Sequence, residues 1–195
     1  MSNFFNLENP FFQVMSKICD MLLISIVYLV LCIPIITIGP ASTALYYTMV
    51  KVIRRERGYV FREFFRSFKL NFKRGAIVGI LFLIVLFILG IDLAYAWGLA
   101  QSDSNKGSLL LGIFIGIGFL FICFSVYVFP ILSRFDMTVK NLIMTALYMS
   151  TRYIYFTVLM VVVYAAAAVI TYFVPPFIFI APATTVLINS FMMEK

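Results

Sequence analysis

The sequence predicts an all-α, polytopic membrane protein with about six transmembrane helices, one or two amphipathic helices at the cytoplasmic interface and a repeated proline-broken hairpin. Of its 195 residues, 64% are hydrophobic, and its mean hydropathy is +1.07. Soluble domains are only about 45–50% apolar. Several apolar runs reach the length of about 20 residues that crosses a bilayer as a helix. Runs such as 77–91 are apolar on every side rather than alternating, which indicates helices and not a β-barrel.

We expect the whole chain to form one integral membrane domain, in which apolar segments alternate with more polar ones. The second segment, residues 41–53, is short for a span, so residues 39–53 either cross at a tilt or re-enter the membrane. We interpret them as a short tilted span. The segments are an interfacial N-terminal stretch (1–17), a first hairpin (18–53), a basic amphipathic helix (54–74), a central hairpin (75–133), a second amphipathic segment (134–153) and a last hairpin (154–193).

One stretch of sequence occurs twice, at residues 33–50 and again at 175–192. The two copies share seven identities in eighteen positions, and both have prolines six residues apart followed by Ala-(Ser/Thr)-Thr. Because proline lacks the N–H that a helix interior needs but fits a first turn, each copy predicts the turn of a helical hairpin. Such repeats occur in transport proteins, and a repeat that serves packing alone is the alternative. The residues that define the breaks are Pro34, Pro40, Thr43, Pro176, Pro182 and Thr185.

Positive charge is concentrated between residues 51 and 74, which hold nine of the fifteen basic residues. In a membrane protein this asymmetry reports orientation rather than nucleic-acid binding, because basic loops stay in the cytoplasm. We therefore expect both termini to be cytoplasmic in a bacterial cytoplasmic membrane. The net charge of +7 then faces anionic lipid, and no nucleic acid is expected as a partner.

Within this basic region, phenylalanines recur at helical spacing beside arginines and lysines. A phenylalanine face flanked by cations is typical of a helix that lies in the membrane interface. Two interpretations stay open: the helix anchors the protein to anionic lipid, or it docks a cytoplasmic partner. The residues concerned are Phe61, Arg62, Phe65, Arg66, Phe68, Lys69, Phe72 and Lys73, with Phe64 on the same face.

The residue types argue against catalysis. The chain has no histidine, which removes the commonest general base and metal ligand. Its three cysteines lie in apolar runs without metal spacing and are expected to be buried hydrophobes. No catalytic, cofactor or metal site is predicted. Asp92 is the one candidate for a functional acid within a span, and Gly112 and Gly116 have the small-xxx-small spacing of close helix packing.

The N-terminal third resembles the YesL family of bacterial membrane proteins. The likeness runs over residues 3–74, and Pro40 departs from the small residue expected there. The resemblance implies a Gram-positive membrane protein associated with carbohydrate ABC importers and enzymes of polysaccharide use, and it carries over no catalytic residues. The residues that carry it are Phe4-Phe5-Asn6, Asn9-Pro10-Phe11-Phe12, Asp20, Pro34, Thr37-Ile38-Gly39, Ala44-Leu45-Tyr46-Tyr47, Gly58-Tyr59-Val60-Phe61-Arg62, Phe64-Phe65, Ser67-Phe68-Lys69 and Asn71-Phe72-Lys73.

Two functions are therefore expected from the sequence. The first is a non-catalytic accessory subunit of a carbohydrate ABC importer, which binds permease subunits through the basic helix. The alternative is a small self-contained transporter or channel for a neutral solute. The broken helices and the internal repeat favour it, whereas the near absence of ionisable residues from the predicted spans argues against it, because ion pathways usually contain them. Hydroxyl and amide groups near the two breaks would bind such a solute, unless they bond to their own helices: Thr37, Ser42, Thr43, Thr184, Thr185 and Asn189.

Overall fold

The computed structural model describes residues 10–101 and 105–193, which contain seven α-helices and no strand. Short 3₁₀ turns at Ile35–Thr37 and Pro175–Phe179 precede α2 and α7, and a π-helical segment, Met49–Arg54, continues α2. Residues 1–9, most of the predicted interfacial stretch, lie outside the described residues. The helices are α1 (Pro10–Leu31), α2 (Ile38–Thr48), α3 (Val60–Gln101), α4 (Asn105–Arg134), α5 (Val139–Arg152), α6 (Ile154–Phe173) and α7 (Ala181–Met193).

Four helices in the described part of the chain are long and apolar enough to cross a membrane: α1, α3, α4 and α6. The helical membrane class is thus confirmed, and the expected number of six spans is not. The two missing spans are α2 and α7, of 11 and 13 residues. At a rise of about 1.5 Å per residue, neither reaches the roughly 30 Å of a hydrocarbon core.

Each of the two short helices follows an interruption of helical structure that contains proline. After α1 ends, Pro34 precedes the first 3₁₀ turn, where Thr37 Oγ1 donates to the Pro34 carbonyl at 2.6 Å. After α6 ends, the second turn starts at Pro175, and α7 follows with Pro182 in its first turn. The missing N–H of proline costs nothing in a first turn, because those groups have no partner within the helix. The chain therefore reverses into a short helix twice, in related sequence.

The short helix α2 is buried on every side, unlike the spans. Its neighbours are α1, α3, α4 and α7. Residues of α1, α3, α7 and the π segment join those of α2 in one hydrophobic core. The buried hydroxyls of α2 are accommodated there because Thr43 and Thr48 donate to carbonyls of their own helix, Gly39 at 2.9 Å and Ala44 at 2.8 Å. The buried residues of this core are Met21 and Ile24 from α1, Ala44 and Leu45 from α2, Met49, Val52 and Ile53 from the π segment, Val60 and Phe64 from α3, and Ala183 from α7.

Glycine allows α2 to cross α3 at backbone contact. A Cβ added to Gly39 would lie 2.0 Å from the carbonyl oxygen of Gly75, and Gly79 Cα is 3.2 Å from the same position. The small-xxx-small pair at this crossing is thus Gly75 and Gly79. The pair expected to pack closely from the sequence, Gly112 and Gly116, faces open space, with no atom within 4 Å of an added Cβ.

This crossing changes the predicted layout of the first third of the chain. Segment 54–74 is not a separate helix. Most of it forms the start of α3, which is 42 residues long and continues without interruption past Gly75. The beginning of α2 meets α3 at Gly75, so α2 lies beside the first part of α3. Residues 41–53 and 60–74 therefore lie side by side, whereas the hydropathy pattern predicts the former in the membrane and the latter outside it.

A second core joins the remaining helices. Val78 and Phe82 of α3 pack against α4, α5 and α6, with Leu142 and Met160 fully buried. The second amphipathic segment is α5, whose buried face (Leu142, Ala146 and Ser150) packs on this bundle. The prediction that either amphipathic helix lies in the membrane interface is not confirmed.

Candidate functional site

A cavity of about 300 Å³ lies where the two proline-broken helices meet α1, α4 and α6. We call it the hydroxyl cavity, because its polar side chains are all hydroxyls and none of the described residues that line it is charged. Its volume is at the lower end of the range of small-molecule sites, about 300–1,000 Å³. Its polar lining is Tyr28, Ser42, Tyr46, Ser125, Tyr164 and Thr185, and its apolar lining is Leu45, Ile122, Val126, Phe129, Pro130, Pro182 and Val186.

Both copies of the repeat contribute to this cavity. Ser42 follows Pro40 in the first turns of α2, and Thr185 follows Pro182 in α7. Of the six break residues singled out from the sequence, Pro182 and Thr185 line the cavity. Thr43, one residue after Ser42, is fully buried instead, and its hydroxyl donates to the Gly39 carbonyl at 2.9 Å.

The threonines near the breaks bond to their own helices. Thr185 Oγ1 donates to the Ala181 carbonyl at 2.8 Å, and Thr184 Oγ1 donates to the Ile180 carbonyl at 3.1 Å. Their protons are therefore engaged, and only the oxygen lone pairs can accept a bond from a solute. Tyr46 donates to Met193 Sδ at 3.8 Å, and Ser125 Oγ donates to the Ile122 carbonyl at 2.7 Å. Tyr28 and Ser42 share one hydrogen bond of 3.2 Å, so this pair keeps one proton to give.

A buried amide lies next to the tyrosine on the α6 side of the cavity. Asn189 is 3% exposed, and neither its nitrogen nor its oxygen makes a hydrogen bond of ordinary geometry within the protein. It is close enough to interact with the Tyr164 hydroxyl. A buried polar group without a partner costs free energy. Asn189 thus keeps hydrogen-bonding capacity next to Tyr164, although it is not among the residues that line the cavity.

The phenylalanine face of α3 divides into a buried and an exposed part. Phe64 is fully buried in the first core, and Phe68 is half-buried. The other members of the predicted interfacial set are exposed, so they form an aromatic and cationic surface on the protein, which we call the α3 surface. It comprises Phe61, Arg62, Phe65, Arg66, Lys69, Phe72 and Lys73.

Asp92 and the cysteines do not line the hydroxyl cavity. Asp92 is half-buried in the later part of α3 and is not in the cavity lining. Cys123 is buried as expected, whereas Cys19 is exposed on α1, so the prediction of three buried cysteines was wrong at that position. Within residues 10–101 and 105–193, no three Cys, Asp or Glu side chains converge on a metal site.

A second cavity, of about 320 Å³, shares Tyr46 with the hydroxyl cavity. We call it the basic cavity. It lies between the π segment, the loop before α3 and the end of α4. The sequence does not predict it, because Arg134 lies far along the chain from Lys51, Arg55 and Arg57 and the π-helical turn has no signature in the sequence. Its lining is Tyr46, Tyr47, Val50, Lys51, Arg55, Arg57, Ser133 and Arg134.

Comparisons with known proteins find relatives without an assigned function. A family model described as "Protein of unknown function, DUF624" matches residues 21–93. The chain is 31% identical over 84 residues to "Uncharacterized protein YesL" of Bacillus subtilis (strain 168), which covers 43% of this chain and 37% of YesL. It is 30% identical over 139 residues to "Uncharacterized protein YteU" of the same organism, which covers 71% of this chain and 61% of YteU.

The chain therefore spans less than two thirds of the length of either relative. No solved structure gives a significant match.

Proposed function

This chain belongs to the YesL (DUF624) family, and we propose that it is a small, non-catalytic transporter or channel for a neutral solute, with the hydroxyl cavity as the binding site. The observation that carries the proposal is the composition of that cavity. Tyrosine, serine and threonine hydroxyls line it, charged side chains do not, and both proline-broken helices contribute to it. In secondary transporters, substrate sites lie at such repeat interfaces beside broken helices.

The lining also indicates the chemistry of the solute. Tyrosine rings provide flat apolar walls and hydroxyls at their edges, which suits a molecule with apolar faces and several hydroxyl groups. A sugar or polyol has that character. A charged solute would lose its hydration without gaining an opposite charge, and burial of an unpaired ion is costly.

We combine this function with the membrane orientation expected from the sequence. The protein would lie in the bacterial cytoplasmic membrane with both termini inside, because the basic residues of the loop before α3 and of the α3 surface are then cytoplasmic. Anionic lipid would be their neighbour.

Solute binding is tested by filling the cavity. Ser125 is half-buried in α4 and lines the cavity, whereas Ser108 lies exposed near the other end of the same helix. We expect purified wild-type protein to be stabilised against heat by one member of a panel of neutral sugars and polyols, by about 2.7 kcal/mol at a hundred times its Kd. Ser125→Leu should abolish that shift and solute flux into liposomes, and Ser108→Leu should retain both.

Two results would contradict the proposal. One is a wild-type protein that neither responds to any solute of the panel nor passes one into liposomes. The other is a shift that Ser125→Leu and Ser108→Leu retain equally, since binding would then lie elsewhere.

A second candidate function is an accessory subunit of a carbohydrate ABC importer, and the α3 surface favours it. Phe61, Phe65 and Phe72 are 44%, 42% and 41% exposed among four exposed cations. Exposed aromatic and arginine residues are enriched at protein interfaces.

This candidate is tested by a mild-detergent pull-down from cells grown on plant polysaccharide. Permease subunits should be recovered in near-equal amounts with wild-type protein and lost with Phe65→Asp. They should remain with Tyr59→Asp, whose side chain is 79% exposed just before α3. Recovery of the protein alone would exclude the accessory role under these conditions and leave the transporter proposal.

A further inference from the structure

The hydroxyl cavity and the basic cavity lie one after the other along the same two stretches of helix. On α2 and the π segment that continues it, Ser42 lines the hydroxyl cavity and Lys51 lines the basic cavity. On α4, Ile122 lines the former and Arg134 lines the latter. Both stretches therefore pass from the neutral cavity to the basic one in the same chain direction, over roughly 15 Å of helix.

Tyr46 is the side chain that separates the two cavities. It lines both of them, and within the described part of the chain it is the one residue that the two linings share. The side chain is 3% exposed. Its hydroxyl is close enough to interact with Tyr164 of the hydroxyl cavity and with Arg134 of the basic cavity. A rotation of this one ring would therefore join the two cavities.

The hydroxyl of Tyr46 is held by a weak hydrogen bond. It donates to Met193 Sδ at 3.8 Å, and a thioether sulfur is a weak acceptor on a flexible side chain. Another buried tyrosine of this protein is held more firmly, because the Tyr127 hydroxyl shares a bond of 3.0 Å with the Thr157 hydroxyl. Little free energy is consequently lost when the bond of Tyr46 breaks, and the ring can change rotamer at low cost.

The backbone that carries Tyr46 leaves the α-helical register within its next turn. The N–H of Met49, the first residue of the π segment, is shared between the carbonyls of Leu45 and Tyr46. Further along, the Arg55 N–H bonds to the Val50 carbonyl, five residues back, at 3.2 Å. Wide turns of this kind are frequent at functional sites. The helix is therefore irregular at the point where one cavity gives way to the other.

The basic cavity is the end of this series that opens to water. Three of the residues that line it, Arg55, Arg57 and Arg134, are exposed. Charged groups retain their hydration, so the basic cavity is continuous with the aqueous phase. In the orientation proposed above, that phase is the cytoplasm.

We propose that Tyr46 is the gate of a passage between the hydroxyl cavity and the basic cavity, which forms the cytoplasmic entrance. The passage of a solute through it rests on the function proposed above, whereas the gate itself does not. With the ring in place, the hydroxyl cavity is closed on this side. When the ring turns away from Met193, the two cavities become continuous, and their similar volumes of about 300 and 320 Å³ allow a solute held in one to fit the other.

The test measures how fast a reagent reaches the hydroxyl cavity from the side of the basic cavity. A single cysteine, Ser125→Cys, is placed on the wall of the hydroxyl cavity, in a full-length chain whose own thiols are removed by Cys19→Ser, Cys32→Ser and Cys123→Ala. Inside-out membrane vesicles are treated with a negatively charged, membrane-impermeant methanethiosulfonate. Tyr59→Cys in the same background, at a position that is 79% exposed, supplies the rate for an open site.

Two conservative variants remove the bond of the gate from either end. Tyr46→Phe deletes the donor and Met193→Leu deletes the acceptor, and both keep the volume of the side chain nearly constant. The controls are Met192→Leu, next to Met193, and Tyr127→Phe, which removes the firmer bond of a buried tyrosine that lines neither cavity. These controls separate opening of the gate from general destabilisation.

We expect the cysteine at position 125 to react slowly when Tyr46 and Met193 are present, and about tenfold faster in either gate variant, because the rate follows the fraction of open protein. The variant with both substitutions should react no faster than either single one, since both remove the same bond. The two controls should react as slowly as the protein with an intact gate.

Two outcomes would overturn the gate. One is an equal rate in gate variants and controls, and the other is a rate in the protein with Tyr46 and Met193 that already equals that of Tyr59→Cys, because the cavities would then be joined permanently. Labelling requires no solute, so the two proposals can fail separately. Faster labelling of the gate variants without flux of any solute supports the gate and contradicts the transporter, and flux with unchanged labelling does the reverse.

Discussion

The backbone N–H of Ala183, in the first turn of α7, donates a hydrogen bond of 3.2 Å to Ser25 Oγ in the middle of α1. Both residues are fully buried. The first N–H groups of a helix have no partner within the helix, so a serine from another helix satisfies one of them here. This bond ties the second proline break to the first hairpin, 158 residues apart in sequence.

Removal of this bond should destabilise the protein measurably. Ser25→Ala leaves the Ala183 N–H buried without a partner, which should lower the free energy of unfolding by about 1–3 kcal/mol. Ser108→Ala, at an exposed position of α4, is the matched control and should change it by less than about 0.5 kcal/mol. Thermal unfolding in detergent measures both, and equal melting temperatures for the two variants would refute the importance of the bond.

The glycine crossing of α2 and α3 predicts opposite results for two identical substitutions. In Gly39→Ala the new Cβ would meet the Gly75 carbonyl oxygen at 2.0 Å, so the helices must separate. We expect a loss of at least about 1–3 kcal/mol, as for other overpacked sites. Gly116→Ala meets no atom within 4 Å, and alanine favours a helix over glycine by about 1 kcal/mol.

Unfolding by graded addition of SDS to mixed micelles compares these two variants. Gly116→Ala should be as stable as wild type or more so. If Gly39→Ala were equally stable, the close crossing would not be present in the membrane.

Substitution of two neighbouring phenylalanines of α3 should affect different properties, stability for the first and surface attachment for the second. Phe64 is fully buried, whereas Phe65 is 42% exposed. Phe64→Ala should lower the free energy of unfolding by about 3–5 kcal/mol, because it leaves a cavity in the first core. Phe65→Ala should leave stability nearly unchanged and weaken attachment to anionic vesicles or to a partner. Unfolding and vesicle co-sedimentation on the same two proteins separate these effects, and equal loss of stability would contradict the division of this face.

The sequence was sufficient for the features that follow from composition and local chemistry. Apolar runs predicted the helical membrane class, and repeated prolines indicated where the chain turns before α2 and α7. The periodicity of the sequence could not determine which side of a helix contacts another helix. Phe64 and Phe65 share one stripe of α3, and only the position of α2 makes the first a core residue. Likewise, Gly75 and Gly112 both have a glycine four residues on, and spacing alone cannot say which pair meets another backbone.

The basic cavity was beyond prediction for a different reason. Its members come from the π segment, the following loop and the end of α4, and their convergence depends on a hydrogen bond five residues back that no residue pattern encodes. The predicted number of six spans is not confirmed for a related reason. Hydropathy detects apolar content, but it does not show how long the helix next to a proline break becomes.

The ion pair of Lys51 and Glu63 predicts a pH-dependent stability. The two side chains are 29% and 10% exposed, with Nζ 2.6 Å from Oε2. Lys51→Met leaves Glu63 charged, largely buried and without its ion-pair partner, so we expect a loss of roughly 2–3 kcal/mol, below the range of about 3–5 for a fully buried pair. Asp136→Asn, which breaks the exposed pair with Arg74, should cost no more than about 0.5 kcal/mol.

The hydrogen bonds to Glu63 and Tyr47 raise the pKa of Lys51 above its ordinary value of 10.5. Since the folded protein holds this proton more tightly than the unfolded chain, the contribution of the pair is fully present below the ordinary lysine pKa. It is lost as the pH rises through the higher pKa of the folded state. The difference in unfolding free energy between wild type and Lys51→Met should therefore be constant from about pH 7 to 9 and shrink in strongly alkaline buffer. A difference that persists unchanged there would show that packing of the lysine stem, rather than its charge, stabilises the π segment.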